Sequence, residues 1–186
     1  MPLSKSSAVG TIPSSPKDLI RIQHQRIHFA WAMTLLGYSH GADFQERVSY
    51  LQLAEFIMQN GVNIEKDLEE LWRRIVFNVC VSNTDDHLRN HGFLLTLKGW
   101  KLSPAYDINP NENGSGLKLN ISETDNALET DLALEVAPYF RIKNERAKQI
   151  IKWVKKVVAA WRIGASQYKI SKNDQELMSK AFEKQL

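Results

Sequence analysis

The chain has 186 residues, 43% of them apolar, which is enough for one soluble globular domain with its own hydrophobic core. Its 24 basic and 21 acidic residues leave a net charge of +3, which is too small to argue for nucleic acid binding by itself. No apolar run approaches the roughly 18 residues of a membrane span, so no membrane attachment is expected.

The N-terminal segment is rich in Ser and Pro and has no hydrophobic stretch, so it does not read as a secretory signal. We interpret residues 1–20 as a flexible tail or fragment edge and residues 21–186 as one folded domain. The single cysteine, Cys80, cannot form an internal disulfide and lies in an apolar run, which indicates a buried, unreactive thiol instead of a nucleophile. This cysteine usage fits a reducing cytoplasm.

Three helices are predicted in the first half of the domain from the spacing of apolar residues. Residues 20–36 have mixed apolar spacing and are predicted to be helical up to Gly37, and residues 37–47 then form a polar turn. The second helix ends at Gly61, and its buried face consists of Tyr50, Leu53, Ala54 and Ile57. The third begins after Asn63, an N-cap candidate, and its apolar face consists of Ile64, Leu68, Leu71, Ile75 and Val79.

The pattern then changes to that of a β-hairpin. Residues 93–97 are predicted as a strand, Lys98 and Gly99 as a tight turn, and residues 100–102 as the returning strand. Pro104 ends the regular pairing. The residues from 109 to 116 have the composition of a loop.

Three more helices are predicted after this loop. Thr130 caps the first and Asn144 caps the second, whose apolar face extends as far as Tyr168. Asn173 and Glu176 resemble the capping box of the third. The predicted fold class is therefore mainly α, a helical domain with one embedded β-hairpin.

Two polar clusters bracket the hairpin. Residues 83–91 read Asn-Thr-Asp-Asp-His-Leu-Arg-Asn-His, and eight of these nine residues are polar. The second cluster, residues 106–109, reads Tyr-Asp-Ile-Asn and follows the returning strand. Because a hairpin returns the chain to the place where it began, we expect Asp107 to lie beside the first loop.

Asp85, Asn90 and Asp107 have the residue types and the order that phosphoryl transfer needs. One carboxylate orients or deprotonates the attacking hydroxyl group, while a carboxylate and an amide oxygen commonly hold magnesium. The catalytic loop of protein kinases places its Asn five residues after its Asp, as Asn90 follows Asp85 here. Asp and Asn are also ordinary turn residues, so a loop that merely caps a helix end stays an alternative at this point.

The two clusters together resemble the C-terminal domain of HipA-type kinases. Members of that family have an Asn-Thr-Asp-x-His-x-(Lys/Arg)-Asn loop, found here at residues 83–90, and then a Ser-Pro-x-Tyr-Asp segment, found here at residues 103–107. The Asp-x-His-x-x-Asn core is also similar to that of phosphoinositide kinases. The resemblance extends from about Arg26 to the C-terminus. It implies a kinase C-lobe-like helical fold and an ATP-dependent serine/threonine protein kinase related to a toxin–antitoxin system.

The same resemblance implies roles for five residues. Asp85 would be the catalytic carboxylate, and Asn90 and Asp107 would hold the magnesium ion that accompanies ATP. His87 would support the loop or contact phosphate. Arg89 would face nucleotide phosphate, substrate or solvent.

Other polar residues receive structural interpretations. Asp86 occupies a variable position of the family motif and is expected to face solvent, and His91 is expected to belong to the start of the hairpin. A set of basic residues lies mostly opposite the apolar face of the long C-terminal helix, and a solvated surface is the default interpretation over one that contacts DNA or a partner. These residues are Lys148, Lys152, Lys155, Lys156 and Arg162.

The chain departs from a whole HipA kinase in one respect. Kinases position the phosphates with a flexible loop and a lysine of the N-lobe, and neither a Gly-x-Gly-x-x-Gly nor a Walker loop occurs in this sequence. We therefore expect the isolated chain to be weakly active or inactive. The resemblance also implies partners: a protein substrate, a HipB-like helix-turn-helix antitoxin or a separate N-lobe, and DNA only indirectly through the antitoxin.

Two other functions stay open from the sequence. The chain could be a catalytically impaired, kinase-like module that docks an antitoxin or a separate N-lobe. It could also be a metal-dependent hydrolase or nuclease that uses Asp85, Asp86, His87 and Asp107. Against this last function, Asn90 suits magnesium and phosphate better than zinc.

Overall fold

The structure, a computed structural model, describes residues 21–22 and 25–184, and the interpretation of residues 1–20 as a tail lies outside them. The strands are β1 (Arg21–Ile22), β2 (Gln25–Arg26), β3 (Phe29–Trp31), β4 (Gly92–Thr96) and β5 (Gly99–Leu102). The α-helices are α1 (Ala32–Leu35), α2 (Tyr50–Asn60), α3 (Ile64–Cys80), α4 (Thr130–Val136), α5 (Asn144–Ala159), α6 (Trp161–Gln167) and α7 (Lys172–Glu183). Short 3-10 turns cover Phe44–Glu46, Leu88–Asn90 and Ala137–Phe140. The predicted mainly α fold class is confirmed.

Helix α3 lies at the centre of the hydrophobic core, where it packs against α2, α4, α5 and α7. Its predicted apolar face is buried by these neighbours, and the fully covered members are Leu68, Leu71, Ile75 and Val79. Trp72 is also fully buried, and its indole N–H donates to the backbone oxygen of Ala133 at 2.9 Å. Because α3 is fixed on so many sides, the loop that leaves its C-terminal end starts from a rigid point.

Helix α2 confirms the prediction from its apolar spacing. The chain leaves the helix at Gly61 and enters α3 from Asn63, which occupies the N-cap position as expected. The side chains that α2 buries are Tyr50, Leu53, Ala54 and Ile57. Tyr50 is the only one of these four with a polar group, so its hydroxyl needs a partner inside the protein.

The predicted hairpin is present, and β4 pairs antiparallel with β5. A third strand, β3, extends the sheet on the other side of β4, with Ala30 opposite Phe93 and Trp31 opposite Gly92. The predicted helix over residues 20–36 is therefore wrong, because the helix covers only Ala32–Leu35. Pairing with a strand some 60 residues away overrides the weak local pattern. Gly92 leaves room for the ring of Phe29, since a Cβ there would push the outer edge of that ring aside.

The C-terminal helices differ from the prediction in two places. The long helix predicted to reach Tyr168 is broken at Ala160, and α6 folds back so that Trp161 stacks on Phe182 of α7 with ring centroids 4.4 Å apart. As a result Tyr168 is 84% exposed. A local apolar pattern cannot reveal such a break, because the stacking partner lies about 20 residues further along the chain.

The predicted caps of these helices are shifted by one or two residues. Thr130 and Asn144 are the first helical residues of α4 and α5 instead of their N-caps. The capping box at Asn173 and Glu176 is wrong as well. Ser171 is the N-cap of α7, and its hydroxyl accepts a hydrogen bond from the backbone N–H of Asp174 at 3.1 Å.

The basic residues of α5 lie on the outside of the domain. Lys148, Lys152 and Lys156 are exposed, which agrees with a solvated helix face. Arg162 on α6 forms ion pairs with Glu176 and Glu183 of α7 at 3.3 and 3.0 Å.

Across residues 21–22 and 25–184, none of the helices is both long and apolar enough to cross a bilayer.

Candidate active site

The first polar cluster forms a loop that is fixed at both ends. It leaves α3 through Ser82, whose φ of 51° lies in the left-handed region, and it enters β4 at Gly92. A 3-10 turn over Leu88–Asn90 shortens the loop just before the strand. Buried Leu88 anchors this turn to the hydrophobic core, so the polar residues around it are held at defined positions.

Asn90 joins the two polar clusters. Its side-chain Nδ2 donates to the backbone oxygen of Asp85 at 3.2 Å and to the backbone oxygen of Asp107 at 3.4 Å. The carboxylates of Asp85 and Asp107 are both exposed. The expected return of Asp107 to the first loop is therefore confirmed, and the three residues predicted for phosphoryl transfer lie together.

Asp107 has a backbone conformation that is unusual for a residue with a side chain. Its φ is 56°, in the left-handed region, and its Oδ1 accepts a hydrogen bond from Nδ2 of Asn109 at 2.9 Å. Aspartate adopts the left-handed region more readily than most other residues with a side chain, so the conformation fits this residue type at a sharp turn of the chain.

The segment before Asp107 is tied to the loop and to α3. The hydroxyl of Tyr106 donates to the backbone oxygen of Arg89 at 2.7 Å. The guanidinium of Arg74 donates to the backbone oxygen of Ser103 at 2.6 Å, and its side chain is only 7% exposed. Burial raises the pKa of Tyr106 well above its ordinary value, so the phenol remains a hydrogen-bond donor at neutral pH.

Asp86 is buried, and the expectation that it faces solvent is wrong. Only 3% of the residue is exposed, and its Oδ2 accepts three hydrogen bonds. The donors are the hydroxyl of Tyr50 at 2.5 Å, Nδ2 of Asn78 at 2.7 Å and Nε2 of His91 at 2.9 Å. Three separate parts of the chain therefore meet on one carboxylate oxygen, and this cluster pulls the side chain inward.

The electrostatics of this cluster favour a charged Asp86. Burial alone would raise the pKa of its carboxyl, but the charge and hydrogen bond of His91 and the hydrogen bond from Tyr50 outweigh that effect and lower it. Burial, and then the charge of Asp86, raise the pKa of Tyr50 well above its ordinary value. His91 thus does more than begin the hairpin, since it is one of the three donors to Asp86.

Sequence reasoning missed Tyr50, Asn78 and His91 as parts of the site. A signal was available for two of them, because Tyr50 and Asn78 are residues with polar groups on the buried faces of α2 and α3. A polar group on an apolar helix face needs a buried partner, and the neighbouring polar loop is the obvious place to look for one.

A pocket of about 310 Å³ opens beside Asp85. His87 and Arg89 line it from the same loop, while residues 39–43 and Lys118 form the opposite wall. Lys118 lies 3.8 Å from the carboxylate of Asp43, so part of its charge is balanced. The pocket is lined by Asp85, His87 and Arg89, to which the resemblance assigns catalysis and contact with phosphate or substrate, whereas Asn90 and Asp107 are not among its lining residues.

Cys80 does not belong to this chemistry. The residue is fully buried at the end of α3, and burial raises the pKa of its thiol to about 11. A thiol with so high a pKa is protonated at neutral pH and is a poor nucleophile. The structure agrees with the structural interpretation of this cysteine.

Comparison with known families and structures agrees with the resemblance carried by the two motifs. The sequence model of the HipA-like C-terminal domain matches residues 17–161. The chain belongs to this family. A Haemophilus influenzae (strain Rd) protein named "Putative kinase" is 41% identical over 69 residues, which are 37% of this chain and 20% of that protein.

The fold matches a solved HipA structure. A chain of the Shewanella oneidensis MR-1 toxin–antitoxin complex of HipA, HipB and operator DNA superimposes with a TM-score of 0.64 and 15% sequence identity. The match covers 86% of this chain and 43% of that one. This chain therefore spans less than half the length of either protein.

The residues of this HipA-like site fit magnesium better than a transition metal. The side chain of Asn90 bonds to the backbone of Asp107, so an amide and a carboxylate, which carry the oxygen ligands that magnesium prefers, belong to neighbouring residues of the site. In the described part of the chain, no three or more His, Cys, Asp or Glu residues cluster as a metal site. The hydrolase interpretation also needs Asp86 as a ligand, but Asp86 is buried and already bonded to three donors.

Proposed function

We propose that this chain is the catalytic C-terminal part of a HipA-like serine/threonine protein kinase, which transfers the terminal phosphate of ATP to a protein hydroxyl group. The observation that supports it most is the position of Asn90. Its side chain donates to the backbone oxygens of both Asp85 and Asp107, so that the amide joins the two segments that carry the exposed aspartates. This is the residue set that phosphoryl transfer requires.

Asp85 is the proposed catalytic carboxylate. In the reaction, the acceptor hydroxyl oxygen attacks the terminal phosphorus, ADP leaves, and the hydroxyl proton passes to the carboxylate of Asp85. Because Asp85 lines the 310 Å³ pocket, the acceptor side chain would approach it from there. His87 and Arg89 line the same pocket and would contact phosphate or substrate.

Asn90 and Asp107 are the proposed magnesium ligands. Magnesium bound there would neutralise the charge of the ATP phosphates. The chain's own contribution is to hold these ligands in place before ATP arrives. The bond from Tyr106 to the backbone of Arg89 and the bond from Arg74 to Ser103 fix the segment that ends at Asp107.

A kinase-like binding module is the second candidate function. It is kept because the chain covers only 43% of the HipA chain that it matches, and positioning groups carry most of the catalysis in phosphoryl transfer. Such a module would dock a HipB-like antitoxin or a separate N-lobe and would meet DNA only through the antitoxin. For either function, we expect this chain alone to turn over ATP slowly or not at all.

Calorimetry of ATP binding tests the proposed site directly. ATP titrated into the chain should release heat in the presence of magnesium and much less after chelation with EDTA. Asp107→Ala and Asn90→Ala should each weaken binding by at least about tenfold, as loss of metal-site residues commonly does. Asp131→Ala, which removes an exposed carboxylate on α4, is the matched control and should leave binding unchanged.

Two results separate the candidate functions. Binding that is equally tight with and without magnesium, and equally tight in all variants, would contradict the proposed site. If ATP binds only after a separate N-lobe protein is added to the calorimeter cell, the result supports the binding-module interpretation. Robust autophosphorylation by the chain alone that Asp85→Ala abolishes would instead establish the kinase and overturn the expectation of weak activity.

A further inference from the structure

We infer that Asp86 is a positioning residue, which orients Asp107 through a chain of asparagine amides. The expected effect of Asp86 on metal binding rests on the proposed kinase function, but its effect on the segment of Asn109 and Asp107 can be measured separately. Asp86 follows the proposed catalytic Asp85 directly, yet the two carboxylates face opposite environments. Asp85 is exposed, while Asp86 is 3% exposed and bonded to three donors.

The three donors fix the backbone next to Asp85. Tyr50 comes from α2, Asn78 from α3 and His91 from the loop just before β4, so the single carboxylate oxygen is held from three directions. A buried carboxylate is costly to leave without partners, which means that the arrangement is strongly preferred over alternatives. Because these bonds restrain Asp86, they also restrain the adjoining backbone of Asp85.

Asn78 passes this constraint on to the second polar cluster. Its Nδ2 donates to Asp86, while its Oδ1 accepts from Nδ2 of Asn83 at 3.1 Å. The Oδ1 of Asn83 in turn accepts from the backbone N–H of Asn109 at 3.3 Å. Finally, Nδ2 of Asn109 donates to Oδ1 of Asp107 at 2.9 Å.

This relay has a fixed direction. A side-chain amide donates only from nitrogen and accepts only at oxygen, so Asn78 and Asn83 are each held in one of their two flipped orientations. Asn78 and Asn83 are 2% and 0% exposed, which means that water does not compete for the bonds that join them to each other and to Asp86. Asp86 therefore sets the orientation of these two side-chain amides, and the backbone N–H of Asn109, by donating to Asn83, ties to them the segment whose exposed side chain bonds to Asp107.

Asp86 is not a second catalytic base. It is not among the residues that line the pocket at Asp85, and its burial keeps substrate away from it. If Asp86 acts on Asp107 through other residues, a prediction follows that would not follow if Asp86 only stabilised the fold. Breaking the relay at Asn78 or Asn83 should disturb Asn109 and the metal site, although neither residue touches Asp107.

The test uses Mn²⁺ and ATP as probes, with the dissociation constant measured by electron paramagnetic resonance. Asp86→Ala and Asn78→Leu should each weaken Mn²⁺·ATP binding by about tenfold or more. Asp86→Asn, which keeps an acceptor oxygen in place, should recover most of the loss. Gln175→Leu removes a buried side-chain amide on α7 that bonds to Ile170, and it should lower the melting temperature without changing binding.

A second readout follows the relay itself. In ¹⁵N NMR spectra, Asn78→Leu should shift the backbone and side-chain amide signals of Asn109, whereas Gln175→Leu should not. If Asn78→Leu does not fold, Asn83→Ala breaks the relay within the loop and takes its place. Unchanged Asn109 signals and unchanged binding in a folded relay variant would overturn the inference.

Failure of the proposed function looks different. If the wild-type chain does not bind Mn²⁺·ATP, the kinase proposal loses its support, but the Asn109 signals still decide whether the relay orients that segment. If binding is present and the relay variants move the Asn109 signals without weakening binding, the relay is structural only and Asp86 is not a positioning residue for the metal site.

Discussion

The loop of residues 82–91 and the C-terminal helix α5 are both held near α3, but by different kinds of interaction. The loop is held by hydrogen bonds between buried polar side chains, centred on Asp86. Helix α5 is held by apolar side chains, and the buried ones are Ala147, Ile150, Val154 and Val158. The same core helix, α3, therefore supports one neighbour mainly through hydrogen bonds and the other mainly through apolar packing.

The difference matters because the two interactions fix different things. Hydrogen bonds have direction, so the cluster around Asp86 determines where individual side chains point. Apolar packing rewards buried area and filled volume, and it tolerates changes that preserve both. We therefore expect substitutions that disturb the loop to change Mn²⁺·ATP binding most, and substitutions in α5 to change the free energy of unfolding most.

The largest effect on stability is expected from Ile150→Ala on α5. Ile150 is 4% exposed, and removing its side chain should cost about 2–5 kcal/mol of unfolding free energy through lost burial and the cavity left behind. Urea denaturation measures this loss, with the exposed Lys152→Ala on the same helix as a control that should stay within about 0.5 kcal/mol. Binding of Mn²⁺·ATP by the folded protein should not change. An equal loss of binding would mean that the two regions are not independent.

Gly114→Ala is expected to lower the free energy of unfolding less than Ile150→Ala does, but to weaken Mn²⁺·ATP binding more. A Cβ at Gly114 would lie 2.1 Å from Cγ2 of Thr84, so the loop segments must separate. Overpacking of this kind costs about 1–3 kcal/mol. Because Asn111 also bonds to Thr84, at 2.8 Å, the displacement should reach Asp85 and weaken Mn²⁺·ATP binding.

The matched control for this variant is Gly164→Ala on α6. Beyond its chain neighbours and the backbone of its own helix, no atom of the described residues would lie within 4 Å of a Cβ at this position, and alanine favours a helix over glycine by up to about 1 kcal/mol. The control should therefore be neutral or slightly stabilising and should bind as tightly as the wild type. Should Gly114→Ala bind Mn²⁺·ATP normally, the contact between the two loops would have no bearing on the site.

The elements that sequence reasoning predicted correctly are those whose information is local. The spacing of Leu68, Leu71 and Ile75 is enough to define α3, because a helix buries one face by its own periodicity. The strand at Phe29–Trp31 was missed because its partner, β4, is distant in the sequence. The break at Ala160 was missed for the same reason, since it depends on Phe182.

The candidate site was predictable in its residue types but not in its orientations. The motif and the hairpin were enough to bring Asp107 to Asn90. Nothing in two adjacent aspartates says which one turns inward, because that is decided by donors on three separate elements. The variable motif position of Asp86 predicts a solvent-facing side chain, but it is the most heavily bonded carboxylate of the loop.

The smallest effect is expected at the surface ion pair that joins α5 to α3. Arg146 donates two hydrogen bonds to Glu69, at 2.9 and 2.6 Å, and chiefly for this reason the pKa of Glu69 lies below its ordinary value. Such exposed pairs stabilise proteins by about 0.2–1 kcal/mol, so Arg146→Ala should cost no more than that at neutral pH.

The lowered pKa of Glu69 determines how the stabilising contribution of this ion pair changes with pH. Glu69 has a lower pKa in the folded chain than the value of about 4.3 that it has when unfolded, so the pair contributes fully above about pH 4.3. Its contribution is lost as the pH falls through the folded value. Thermal melts of the wild type and Arg146→Ala should therefore differ slightly at pH 7 and converge in acid. A difference that persists in acid would mean that Arg146 holds α5 by packing of its aliphatic part, and α5 would then be attached by burial alone.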